Sequence, residues 1–341
     1  GRVAPSHQAA RQHKPRRPHS TKARKRKSQR VSDRRQPPLS KSPLQPLHLK
    51  IKRPSQAMKL IKRIPASSLH VSEPPPHLFG NEKNDGSNPR WTNKNWLKSR
   101  FHFSFAEYHN PKNSMYGVLR VMNDDLVQGE RGFGAHPHRD MEIVTYIVNG
   151  ALTHQDSMGT RETLGRGSVQ FMTAGTGVMH SEHNLEADPL RFIQIWIVPR
   201  RRGLAPNYGG FDGTTGKWKE ARSNSFAQIV GDSEKCASVT GSDLPPPVLI
   251  NQDVSMHVSE LEQGKEASFS LDSNRQAYLL CVEGSMEAQA GSQTEALEQH
   301  DAAEVRGNDA TLSLNFKATS PSCHILLLEM AKTSGDGRKD F

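Results

Sequence analysis

The chain has 341 residues and a formal net charge of +11, with 34% hydrophobic and 6% aromatic residues. That length accommodates two domains of ordinary size, and no apolar run reaches the roughly 20 residues needed to cross a bilayer as a helix. The positive charge sits in one place: residues 1–72 hold 20 Lys and Arg against the single acid Asp33, and the remaining 26 bases face 34 acids. The basic balance therefore describes an N-terminal arm, not a nucleic-acid-binding domain, and no DNA- or RNA-binding motif accompanies it.

Residues 1–57 are rich in Arg, Lys, Pro, Ser and Gln and poor in aromatic and branched apolar side chains. Such a segment cannot bury enough surface to offset its ordering entropy, which predicts a disordered basic arm. An acid-poor, Arg- and Ser-rich arm resembles an organelle transit peptide, and Lys22-Ala23-Arg24-Lys25-Arg26-Lys27 resembles a nuclear localisation patch; a plain extension is the third reading. Short basic clusters arise often by chance, so a transit peptide or extension is favoured, and a plastid, mitochondrial or cytoplasmic location is placed ahead of the nucleus. Residues 1–30 lack the apolar centre of a secretory signal. Cys236, Cys281 and Cys323 are odd in number and widely spaced, which fits structural thiols in a reducing compartment.

Residues 58–100 read as a lead-in with little periodicity. Phe101, Phe103 and Phe105 then alternate with His102, Ser104 and Ala106, as on a half-buried strand. MYGVLRVMND (115–124) is a second strand, expected to end where Asn123-Asp124-Asp125 favour a turn. EIVTYIV (142–148) is apolar on both faces and stops at Asn149-Gly150, a strong hairpin signal. ALTHQDS, SVQFMT (168–173) and RFIQIWIV (191–198) continue the pattern between glycine-marked turns. From about residue 199 to 224 the composition shifts to Arg, Gly, Pro, Asn and Thr, and residues 203–224 read as a linker. A second β-rich set follows, and Tyr278-Leu279-Leu280-Cys281-Val282-Glu283-Gly284 echoes Tyr146-Ile147-Val148-Asn149-Gly150. Many short strands with little helical periodicity predict an all-β fold of closed barrels or jelly rolls, duplicated in the chain.

The chemistry concentrates between Gly132 and Asn184. His136 and His138 are two residues apart, as are His180 and Glu182, so within each pair the side chains project to one face of a strand. Three imidazoles and a carboxylate converging on a point would hold a divalent first-row metal and leave positions open. Softness alone admits Fe(II), Mn(II), Ni(II), Co(II), Cu(II) or Zn(II), although a structural zinc usually closes its four positions and includes cysteine. Nearby, His154 reads either as a neighbour of the site or as a hydrogen-bonded structural histidine. Glu142 lies four residues past His138 and reads more safely as a surface carboxylate, and His183 faces away from Glu182. Met141, Phe171, Met172 and Met179 read as barrel packing. His257, His300 and His324 have no partners at ligand spacing.

The stretches HPHRDMEIVTYIVNG, THQDSMG, VQFMTAGTGVMHSE and the upstream FHFSFAEYHNP resemble the pirin-like family of the cupin superfamily, in its quercetinase-like branch, over roughly residues 91–330. The resemblance implies a bicupin with one metal in its N-terminal barrel, held by His136, His138, His180 and Glu182, and iron as the first choice of ion. Some pirins have Gly where this chain has Asp140. The expected organisation is a basic arm (1–57), an N-terminal cupin barrel with the metal site (58–202), a linker (203–224), a C-terminal cupin barrel without metal ligands (225–332) and a tail (333–341). The resemblance further implies a quercetin 2,3-dioxygenase-type reaction on a flavonol or similar enolisable aromatic with O2. Glu182 would be the catalytic proton acceptor and carbon monoxide would leave. The alternative is a non-catalytic, iron-dependent regulator that acts through a protein partner.

Overall fold

The computed structural model describes residues 60–81, 95–214, 216–236 and 245–332. The basic arm and the tail lie outside these described residues. In chain order the strands begin with β1 (Ile61–Ile64), β2 (His70–Ser72), β3 (Leu97–Phe101), β4 (Leu119–Val127), β5 (Gly132–His138) and β6 (Glu142–Asn149). It continues with β7 (Leu152–Asp156), β8 (Arg161–Leu164), β9 (Val169–Thr173), β10 (Val178–His183), β11 (Leu190–Ile197) and β12 (Asn207–Phe211). After α1 (Gly216–Ala221) come β13 (Ala227–Asp232), α2 (Ser233–Cys236), β14 (Val248–Ile250), β15 (Val254–Glu262), β16 (Glu266–Leu271) and β17 (Arg275–Glu283). The chain closes with β18 (Ser285–Ala290), β19 (Gln293–Glu298), β20 (Ala302–Arg306), β21 (Leu312–Ala318) and β22 (Ser322–Ala331).

These strands form two copies of one topology. A seven-stranded sheet, β12-β9-β6-β11-β4-β3-β2, is matched by β1-β20-β17-β22-β15-β13-β14. The four-stranded sheet β5-β10-β7-β8 is likewise matched by β16-β21-β18-β19. Apolar side chains from both sheets of a copy meet inside each barrel: Leu97, Ile147, Leu152, Leu164 and Phe192 in the first, Ala277, Met286, Leu297, Leu314 and Phe316 in the second. The expected pair of all-β cupin barrels is therefore present.

A third apolar layer lies between the two large sheets, where Met122, Val144, Tyr146, Ile193 and Ile195 pack with Met256, Tyr278, Leu280, Leu326 and Leu328. The large sheets thus bury both faces, which is why EIVTYIV carries apolar residues at consecutive positions. Polar bonds register the two barrels: Tyr146 Oη lies 2.8 Å from His324 Nε2, and His102 Nδ1 lies 3.0 Å from Tyr278 Oη.

Three segment readings differ from the structure. Residues 61–64, assigned by sequence to the first barrel, pair as β1 with β20 of the second, Ile61 opposite Val305. Ile61 is buried in the second core, and Arg63 bonds the Asp301 carboxylate at 2.7 Å, so packing and charge together draw the lead-in across. The stretch read as a linker supplies β12, which completes the large sheet of the first barrel against β9, and α1, which buries Trp218. Finally, Asn123-Asp124-Asp125 do not turn. β4 runs through them to Val127, because Asp124 faces the interface and is bonded by Arg191 and His300, while its neighbours face the barrel interior.

Candidate metal centre

β5 and β10 pair antiparallel, with His136 opposite His180 and His138 opposite Val178. The alternation that puts His136 and His138 on one face, combined with this register, gathers three imidazoles whose ligating nitrogens lie within 4.8 Å of one another. Ring centroids are 4.5 Å apart for His136 and His180 and 4.8 Å apart for His138 and His180. Asp140, in the turn after β5, adopts φ +51° and accepts a bond from the Gly203 N–H. A left-handed turn position suits Gly or Asp alike, which accounts for the residue choice there.

The ring nitrogens are arranged for donation to a cation. His136 Nδ1 lies 2.7 Å from the Gly134 carbonyl, so it carries the proton and Nε2 keeps its lone pair. His180 Nε2 is buried without a hydrogen-bond partner. Burial, reinforced by the neighbouring imidazoles, pulls His138 and His180 down to about 3, so both are neutral at pH 7. An orphaned buried nitrogen beside two further imidazoles, in a cluster without cysteine, fits a borderline divalent ion.

Glu182 stands slightly apart from that triad. A register shift on β10 between His180 and Glu182 accompanies this, and Glu182 groups with His180 and His154 instead of with His136 and His138. It is buried and accepts three bonds from the large sheet: Thr145 Oγ1 at 3.3 Å and Gln170 Nε2 at 3.0 Å on Oε1, and Gln194 Nε2 at 3.0 Å on Oε2. Behind His180, His154 is fully buried with Nε2 3.1 Å from Asp156 Oδ2 and Nδ1 3.4 Å from His180 Nδ1. Tyr208 of β12 stacks on its ring at 4.4 Å.

The cluster opens on a cavity of about 290 Å³ whose walls include His136, His138, Glu182, Phe79, Trp96, Phe101, Phe105, Phe133 and Trp196. Phe79 holds φ +66°, a costly conformation for a bulky residue, and its ring meets His136, Trp96 and Phe133 edge-on. Asn123, Asp125, Ser99 and Gln194 supply polar lining. Burial pushes the Asp125 carboxyl up to about 8, with the neighbouring Ser99 hydroxyl opposing and the charges of Asp124 and Glu182 adding to the rise.

Two expectations need correction. Glu142 is not on the surface: it is buried and accepts bonds from Thr173 Oγ1 at 3.0 Å and the Asn251 N–H at 3.2 Å, bridging the barrels. Met179 is 43% exposed, unlike the buried Phe171 and Met172. The residues missed by sequence reasoning are Thr145, Gln170, Gln194, Asn123 and Asp125, and each left a signal in the pattern of its strand. For Thr145, Gln170 and Gln194 it is a polar residue set between apolar neighbours in a strand, and for Asn123 and Asp125 it is a polar run that interrupts an apolar strand.

A family profile described as Pirin matches residues 85–197, and one described as Quercetinase C-terminal cupin domain matches residues 237–330. A Pseudomonas aeruginosa protein provisionally named quercetin 2,3-dioxygenase is 40% identical over 240 residues, covering 70% of this chain and 94% of that protein. The Escherichia coli K12 protein named quercetin 2,3-dioxygenase is 47% identical over 128 residues, 37% of this chain and 55% of its own length. Among solved structures, the E. coli bacterial pirin YhhW in complex with nickel(II) superposes with a TM-score of 0.61 at 26% identity, covering 80% of this chain and all of that one (100%). These relatives are bacterial and lend no support to an organellar destination for the basic arm. Among the described residues no helix is long and apolar enough to cross a membrane. Two cupin barrels in tandem, the histidine cluster of the first, and a relative matched along nearly its whole length place this chain in the pirin family.

Proposed function

We propose that the chain is a metal-dependent dioxygenase of quercetin 2,3-dioxygenase type, cleaving a flavonol or a similar enolisable aromatic with O2. The observation that carries this reading is a cluster of three imidazoles, two of which, His136 and His138, line an aromatic-walled cavity together with the Glu182 carboxylate. His136, His138 and His180 would hold the ion, with Glu182 as the fourth ligand; iron(II) is our first choice, and nickel fits the same donor set, as the YhhW complex illustrates for that protein. When bound, the ion supplies Lewis-acid stabilisation of an enolate-like oxygen anion.

The protein's own part follows from the cavity. Its aromatic walls hold a flat ring system and exclude water, which strengthens electrostatic interactions within. Glu182, fixed by Thr145, Gln170 and Gln194, accepts the proton of the substrate hydroxyl. In the overall reaction one carbon of the flavonol leaves as carbon monoxide, and both atoms of O2 remain in the ester product. The test is loss of flavonol absorbance in air with metal-loaded protein, and its absence in His136→Ala. Metal binding without flavonol loss would overturn the enzymatic reading and leave the iron-dependent regulator in its place.

A further inference from the structure

The inner face of the large sheet carries a polar row. Gln170 pairs with Thr145, Thr145 with Gln194, and Gln194 with Asn123, so four polar side chains lie side by side on β9, β6, β11 and β4. The first three bond Glu182. Asn123 lies one strand further on, roughly 5 Å beyond Gln194, and Asp125 follows it on the same face of β4. Both line the cavity. Asn123 is 3% and Asp125 4% exposed, and an oxygen of each, Oδ1, is buried with no hydrogen-bond partner. Buried polar oxygens in a natural protein are rarely left bare, and these two line a cavity in which a donor on a ligand would complete them.

We infer that Asn123 and Asp125 form a hydroxyl-recognition subsite, selecting aromatic ligands that carry free phenolic O–H groups on the part of the molecule away from the histidines. The inference rests on the reading of this cavity as the substrate site. Phe101 pairs with Asn123 across β3 and β4, and with Phe105 and Trp196 it offers ring faces and edges to the ligand. An aromatic ligand lying along the cavity, with one oxygen at Glu182, brings its far edge over this pair. Methylating the far hydroxyls removes the donors and leaves the Asn123 carbonyl oxygen and the Asp125 carboxyl unmet, a loss that a site built for hydrogen bonding registers strongly.

The experiment is anaerobic titration of metal-loaded full-length protein with quercetin and with its 3′,4′-dimethyl ether, followed by ligand fluorescence. A second pair, catechol and 1,2-dimethoxybenzene, is measured by calorimetry. Quercetin is expected to bind roughly ten- to hundredfold tighter than the ether, with the preference lost in Asn123→Leu and Asp125→Leu at unchanged metal content. Equal binding of both flavonols by the wild type overturns the subsite while leaving the flavonol reading standing. A preference that survives both substitutions overturns the assignment to these residues. If neither flavonol binds, yet catechol is preferred over 1,2-dimethoxybenzene in a manner dependent on Asn123 and Asp125, the subsite stands and the flavonol reading falls. No preference in either pair overturns it.

Discussion

His180 Nδ1 sits 3.4 Å from Nδ1 of His154, whose Nε2 is in turn 3.1 Å from the Asp156 carboxylate. The proton assignment follows from the acceptor at the end of the chain. Asp156 accepts a hydrogen bond from His154 Nε2–H, which leaves His154 Nδ1 to accept from His180 Nδ1–H. That leaves His180 Nε2, the orphaned buried nitrogen, as a donor to a cation. Supporting partners of this kind typically alter metal affinity ten- to hundredfold. Asp156→Asn and His154→Phe are each expected to weaken metal binding by about that factor, read by competition with a chromogenic chelator. Unchanged affinity in both would refute the relay.

Glu182 is tested by its amide. In Glu182→Gln one oxygen becomes a donor and faces the donors of Thr145, Gln170 and Gln194, while the site loses its proton acceptor. Turnover of a flavonol is expected to fall by about 10²–10⁴-fold with the three-histidine cluster still loading metal. Metal content by plasma emission and initial rates measured on the same preparation separate the two effects.

Gly132 tests how closely the two ligand-bearing strands must approach. A Cβ there would collide with the Glu182 carbonyl oxygen and lie 2.6 Å from the Cα of His183. Both are backbone atoms and cannot rotate aside. Gly132→Ala is expected to cost about 1–3 kcal/mol of stability and to spread β5 from β10, so that metal affinity falls although no ligand has been changed. Wild-type affinity in this variant would show that the strands yield without disturbing the histidines.

The triad was readable in the sequence because period-two alternation needs no tertiary information: His136 and His138 share a face whatever the barrel does. What brings them to His180 is strand register, which the two motifs hint at but do not specify. The duplicated barrel was legible through repeated short strands. Its edges were not, because β1 and β12 are edge strands whose partners, β20 and β9, lie far from them in the chain. The polar row was misread for a related reason. Asn123-Asp124-Asp125 has the composition of a turn, and only the Arg191 and His300 partners of Asp124, brought from 67 and 176 residues away, make a continuous strand favourable.

The exchange of β1 carries its own prediction. Ile61 is 1% exposed in the second core, and the Gln293 side chain bonds the backbone N–H groups of Leu60 and Ile61. Ile61→Ala is expected to destabilise by about 2–5 kcal/mol, lowering the melting temperature while metal affinity, seated in the other barrel, stays unchanged. A parallel loss of metal affinity would mean that the two barrels unfold as one unit before the metal is released.

Asp125 gives a pH dependence of unusual sign. Its carboxyl is pushed up by burial to about 8 from an ordinary value of 3.8, with Asp124 and Glu182 adding to the rise and Ser99 opposing it. Between those two values the folded state holds a proton that the unfolded chain has lost, so stability falls as pH rises, by about 1.4 kcal/mol per pH unit, until the folded carboxyl ionises near 8. Below about pH 4 the carboxyl is protonated in both states and the effect vanishes. Asp125→Asn replaces the acid with a neutral group of the same shape and removes that slope. Measured without metal, in the presence of a chelator, the variant should gain on the wild type by about 2–3 kcal/mol between pH 5 and pH 7, read as a widening difference in urea midpoint. A constant difference across that range would mean that Asp125 ionises in the folded protein as an ordinary carboxylate does.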